Sequence, residues 1–230
     1  MFFDWTWLIL IPGLIISMIA QAKVSSAFNA YSKVSARSGM TGQQVAERLL
    51  ALNQLRVSIH GISGELTDHY DSRNKSMALS AGVGQSDSIA AIAVAAHETG
   101  HACQDGQGYF PLRFRNAIVP LCNFTSNAAW PLFFIGLILG GRYGSSWGLM
   151  LMNIGILFFA VALVFYIITL PVEFNASHRA LVMLKQYQLI DVSEERAVKK
   201  VLGAAAMTYV ASTLMAFLNL FRMLLIRGRN

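Results

Sequence analysis

His97, Glu98 and His101 fall within the stretch VAAHETGHACQ, residues 94–104. On a helix, positions i and i+4 share a face, so two imidazoles at this spacing point the same way with a carboxylate beside them. The pattern is HExxH, in which the histidines ligate zinc and the glutamate serves as general base. The plainer alternative is a short buried helix that holds two histidines. A hydrolytic zinc needs three protein ligands and an open fourth position for water, whose pKa the metal lowers towards neutrality. Two ligands are therefore not enough.

Gly100 lies between the histidines, where it costs on the order of 1 kcal/mol relative to alanine in a helix. Its presence implies that another element packs closely there. The third ligand must be His, Glu or Asp on the same side of the membrane, and Glu173 is the candidate. It stands in LPVEFNASHRA, residues 170–180, where Pro171 should open a polar helix and Ala176 supplies a small face one turn on. That face can press against the histidine helix. His178 lies five residues past Glu173, about 140° around a helix, and does not share its face.

The elements that position these residues are set by hydropathy. Of 230 residues 55% are hydrophobic and 13% charged, too apolar for an ordinary soluble domain. A spanning helix needs about 20 mostly apolar residues, and four such segments occur. The first lies within residues 1–22 and reads as a retained anchor rather than a signal peptide, since no basic residue precedes it. The others are 118–139, 147–170 and 201–226, the second and third joined tightly through GGRYGSS. Asn123, Ser126 and Asn127 in the second span are expected to face the bundle interior.

Residues 23–117 carry nine Lys and Arg, residues 171–200 carry five, and all others carry four. The positive-inside rule then places both polar segments in the cytoplasm and both termini outside, with Arg222, Arg227 and Arg229 running against the trend. This loop bias accounts for the net charge of +6, so no nucleic-acid partner is implied. Cys103 and Cys122 occupy different environments, and no disulfide is expected. Cys103 reads as a small buried thiol.

Within 23–117, residues 23–40 read as an amphipathic or irregular link at the membrane surface. TGQQVAERLL opens a helix with Thr41 as N-cap and Gln44 completing a capping box. VSIHGISGELTDHYDSRNKSMALS reads as short strands, with hairpin arms near 65–70 and 76–80 around the turn DSRNK. Ser76, Met77, Ala78 and Leu79 would form an edge strand to which an extended peptide substrate adds. His69, and more weakly Tyr70, could stabilise the oxyanion formed when a peptide carbonyl is attacked; the plainer alternative is that both hold the hairpin together. A helix from about Ser86 to Gln104 carries the histidines, and its apolar run IAAIAVAA is too short to cross a bilayer.

VAAHETGHACQD, GELTDHYDSRNKSMALS, SGMTGQQVAERLL and PVEFNASHRA together resemble the YugP-type neutral zinc metallopeptidases of bacterial membranes, relatives of the HtpX and CAAX prenyl endopeptidases. The resemblance covers most of the chain in order. It implies a mainly α, multi-pass membrane protein with about four transmembrane helices and a small cytoplasmic zincin-like α+β metallopeptidase domain in the bacterial inner membrane. It also implies one zinc ion per chain held by His97, His101 and Glu173 with Glu98 as base, a gluzincin-like set. A peptide or membrane-protein substrate and the lipid bilayer would be its partners, and a homo-oligomer is compatible with it. The wider clan has ExxxD, whose aspartate orients a zinc-bound histidine. Here Ser177 takes that position, and Asn175 stands where an acidic residue is expected.

Two other classes remain for comparison. A site-2-type intramembrane protease requires its motif inside a spanning helix and a later LDG-like aspartate, which this chain lacks. A catalytically silent metal-binding scaffold would normally close its zinc with four protein ligands.

Overall fold

A computed structural model describes residues 5–142 and 145–229. In chain order the elements are α1 (Ile11–Tyr31, preceded by a 3-10 turn Trp5–Leu10), α2 (Gly42–Leu52), β1 (Ser58–Ile62), β2 (His69–Asp71), β3 (Ser76–Ser80) and α3 (Ala81–Gly84). They continue with α4 (Ile89–Gly106), α5 (Phe110–Leu137, followed by a π turn Ile138–Arg142), α6 (Ser146–Gln186) and α7 (Glu195–Gly228). The chain divides into two compact units.

The first unit comprises the described residues of Met1–Ile19, Phe114–Leu170 and Thr208–Asn230. Among the described residues, four helical segments are long and apolar enough to cross a membrane: Trp5–Tyr31, Phe110–Gly140, Ser146–Gln186 and Glu195–Gly228. Leu14, Met18, Phe124, Ile135, Leu157 and Phe217 point outward from them, an arrangement that lipid satisfies and water does not. Glycines bring α5 and α6 together. A Cβ on Gly155 would meet the Ala129 carbonyl oxygen at 2.7 Å, and one on Gly136 would meet Gly148 O at 2.6 Å. Small residues of this kind let membrane helices approach backbone to backbone. Of the connection GGRYGSS, residues 143 and 144 lie outside the described residues.

Three sequence expectations for the helices change. Asn123, Ser126 and Asn127 lie on the exposed face of α5, while Thr125 and Ala129 turn inward. The helical phase set by the glycine and alanine contacts fixes which side is inside. The first helix continues through residues 23–31, because Phe28 and Tyr31 find an apolar core to pack against. Pro171 does not open a new helix: α6 runs through it, from Ser146 to Gln186. Proline is tolerated where neighbouring groups make up for the missing donor.

The second unit comprises Ala20–Arg113 and Pro171–Met207. Its α2 begins with the expected capping box, in which Gln44 N donates to Thr41 Oγ1 and Thr41 N donates to Gln44 Oε1. Val45, Ala46, Leu49 and Leu50 are buried against α4 and its neighbours. Ser88 caps α4 by accepting from Ala91 N.

The three strands are ordered β1-β3-β2, with β1 parallel and β2 antiparallel to β3. Ser76–Leu79 therefore belongs to the middle strand, a correction to the edge position expected for it. Met77, Ala78 and Leu79 are buried, and Ile59 and Tyr70 face Met77 from the two sides. A strand flanked on both sides has no backbone groups left for a peptide. The edges are β1 and β2.

Candidate metal centre

His97 and His101 sit one turn apart on α4 with their rings edge to face, centroids 4.8 Å apart. Their Nε2 atoms lie 3.3 Å and 3.5 Å from Glu173 Oε2 on α6. Candidate ligand atoms of these three residues all fall within 4.8 Å of one another. Glycine at position 100 permits this approach: a Cβ there would stand 2.5 Å from the Ala176 carbonyl oxygen. The close packing that Gly100 implied is thus the backbone of α6, one turn beyond Glu173.

Each imidazole is held by its other nitrogen. His97 Nδ1 is 3.1 Å from Ser177 Oγ, and His101 Nδ1 is 3.0 Å from Gln104 Oε1. The Nε2 atoms are thereby left facing the Glu173 carboxylate. Two imidazole nitrogens and a carboxylate oxygen are a donor set suited to the borderline-soft zinc ion, and their convergence fits a single ion.

The site is largely buried, with Glu173 3% and Glu98 7% exposed. Burial pushes the Glu98 carboxyl up to about 7, with the Glu173 and Asp68 charges adding to the shift and His97 and His69 opposing it. For Glu173, burial alone would raise the carboxyl. The His101 and His97 rings that face it outweigh this and hold the group below the ordinary carboxylate range.

His69 begins β2, exposed, with Nδ1 2.9 Å from Thr67 O. Its charge is felt by Glu98. Tyr70 does not share that position. Its hydroxyl donates to Asp105 Oδ2 at 2.6 Å, and Lys75 binds the same carboxylate. Burial and Asp105 both push the phenol up, so Tyr70 ties the hairpin to the end of α4. Asp68 accepts from Ser80 N and Ser80 Oγ and pins the strand that precedes α3.

His178 is not brought to the triad. With Asn53, Cys103, Gln107, Arg179 and Met183 it lines a separate cavity of about 170 Å³. There the buried Cys103 thiol faces Met183 Sδ at 3.7 Å.

The polar residue that sequence reading missed is Gln104. Its signal was modest: a residue one turn past His101, on the same helix. Asn175, which stood out for lacking a charge, belongs to the same network. Gln104 Nε2 donates to Val172 O at 2.8 Å and to Asn175 Oδ1 at 3.0 Å, and Arg179 Nε donates to that same oxygen at 2.7 Å.

Comparison with known proteins agrees with the chemistry of these residues. The profile of a family described as "Putative neutral zinc metallopeptidase" matches residues 6–228. A Bacillus subtilis (strain 168) protein described as "Putative membrane protease YugP" is 44% identical over 223 residues, 96% of either chain. No solved structure matches.

Proposed function

The chain belongs to the neutral zinc metallopeptidase family of membrane hydrolases, and from that membership we propose that it is a zinc metalloendopeptidase of the bacterial cell membrane whose active site faces the cytoplasm. One observation carries the reading: two Nε2 atoms and a carboxylate oxygen converge on one point beside a buried glutamate. In this reading His97, His101 and Glu173 hold one Zn2+ per chain, and Glu98 is the general base.

Zinc supplies Lewis-acid activation of water and of the scissile carbonyl. The protein does the rest. Ser177 and Gln104 aim the imidazoles, while Glu98, raised towards neutrality by burial, is suited to accept a proton from water and return it to the leaving amine. His69 would donate to the carbonyl oxygen as charge develops there. An extended peptide would add to the outer edge of β2, which carries His69 and lies opposite the strand that β2 pairs with. The cytoplasmic orientation is supported by the nine and five basic residues of 23–117 and 171–200. The chemistry favours peptides or membrane-associated proteins as substrates.

The test is purified Glu98→Gln protein beside wild type. Zinc content should be unchanged while cleavage of an unfolded or membrane-protein substrate disappears. Cleavage that survives the substitution would remove Glu98 from its role. Zinc in the wild type with no hydrolysis across a broad peptide panel would favour a metal-binding scaffold.

A further inference from the structure

Gln104 is fully buried, and each of its amide groups has a partner. The orientation of this amide is dictated by atoms with a single hydrogen-bonding role. Val172 O is a backbone carbonyl and can only accept, so the NH2 group must face it. Arg179 can only donate, so Asn175 must present Oδ1 to it, and that same Oδ1 accepts the second Gln104 proton. Gln104 Oε1 is then the atom left for His101. It accepts, so His101 Nδ1 must donate, and Nε2 is the nitrogen whose lone pair remains for a metal.

The two ligands differ in this respect. His97 faces the Ser177 hydroxyl, which can donate or accept and so imposes no tautomer. His101 faces an amide that is locked at both ends.

We infer that Gln104 is a positioning residue of the metal centre, which fixes the ring of His101 in its metal-binding orientation and ties α4 to α6 at Val172, one residue before Glu173. The inference rests on the zinc metallopeptidase reading. It assigns the orienting role to a residue on the histidine helix, in addition to the position Ser177 takes on α6. A single amide thus couples one ligand to the backbone that carries another. Outer-shell partners of metal-bound histidines commonly change affinity by about 10 to 100-fold, and a loss of that size in zinc affinity is expected for Gln104→Met, which preserves volume but makes none of the three hydrogen bonds.

The experiment measures zinc affinity by chelator competition for wild type, Gln104→Met and Gln104→Glu. The same proteins loaded with cobalt(II) are then examined for the strongly shifted ring N–H proton signals of the two ligand histidines. Wild type should show both signals. Gln104→Met should lose the His101 signal to solvent exchange, and Gln104→Glu, whose carboxyl accepts from Nδ1 while a proton on its other oxygen serves Val172 O, should keep it. A Gln104→Met protein that binds zinc as tightly as wild type overturns the inference. So does one that binds weakly with both ring protons retained, since that is the behaviour of a merely structural residue. A wild type that takes up neither ion defeats the metallopeptidase reading itself, and with it this inference. A wild type that binds beside an unimpaired Gln104→Met defeats the inference alone.

Discussion

Glu98 and Glu173 are both buried carboxyls of one site, yet their surroundings drive them in opposite directions. The consequence can be read as stability of the metal-free protein. Glu98 moves from an ordinary 4.5 to about 7 on folding, so between those values the native protein keeps a proton that the unfolded chain has released. Its contribution is fully present below the unfolded value and is lost as pH rises through the folded one. Glu173 has the reverse sign: its contribution is present above the ordinary carboxylate value and is lost only in stronger acid. After chelation, the melting temperature in detergent should therefore fall between pH about 5 and about 7 and level off above, and Glu98→Gln should flatten that fall. The effect is bounded at about 3 kcal/mol, from 1.36 kcal/mol per pKa unit. A slope unaltered in Glu98→Gln would show that the carboxyl is not shifted by its burial. His69 and Tyr70 give a second, contrasting pair. Tyr70→Phe removes the bond to Asp105 and should cost about 1 kcal/mol of stability while leaving turnover intact. His69→Phe should leave zinc bound and lower kcat by about 10² to 10³ if it donates to the oxyanion. Equal loss of turnover in both variants would indicate that the hairpin as a whole, and not one donor, is what matters.

The site stands on the crossing of α4 with α6, and that crossing is fixed at Gly100. In Gly100→Ala the new methyl would meet a backbone oxygen, Ala176 O, rather than the flexible end of a side chain, so the helices must separate. Overpacking of this kind costs about 1–3 kcal/mol. Because His101 and Glu173 lie on opposite sides of the contact, zinc affinity should fall together with the melting temperature. An alanine variant with wild-type zinc affinity would show that the helices can separate without parting the ligands. This crossing was largely legible in the sequence, because each clue is local to its helix: i,i+4 histidines, a glycine between them, and a glutamate three residues before a small alanine. The capping box at Thr41 was legible for the same reason. Pairing of the strands was not. Whether SMALS is an edge or a centre depends on β1 returning parallel beside it from 18 residues away in register, Ser58 against Ser76, and nothing in the alternation of five residues encodes that. Gln104 was hidden in a similar way, since its partners Val172 and Asn175 stand 68 and 71 positions further along the chain. Polarity alone does not reveal the phase of α5, because close glycine and alanine contacts decide it.

On the scale of the whole chain, membrane orientation is the property that the active-site reading most depends on. α6 has 41 residues, a length of about 60 Å at 1.5 Å per residue, twice the hydrocarbon thickness of about 30 Å. Its apolar part ends near Leu170, so Glu173 follows within one turn of leaving the apolar run. The basic residues near the C-terminus run against the positive-inside count, but Arg222 and Arg227 are engaged inside the first unit. Arg222 is 5% exposed, donates from Nε to Thr6 Oγ1 at 3.1 Å and lies with its guanidinium carbon 3.8 Å from the Trp7 ring centroid. Arg227 donates to Asn153 Oδ1 at 2.9 Å. Cations held by protein partners and an aromatic face have less need of a headgroup layer, which leaves the bias of the two long polar segments to set the orientation. The native cysteines are both buried, so a single introduced thiol can be read against a quiet background. In intact bacterial cells whose outer barrier has been removed, a membrane-impermeant maleimide should label Gly228→Cys but not Glu65→Cys. Glu65→Cys should become reactive once the membrane is opened. Both positions are exposed in the fold, so failure to react reports the side of the membrane and not burial. The reverse pattern would place the histidine–glutamate cluster outside the cytoplasm, and its substrates would then have to be sought among exported chains.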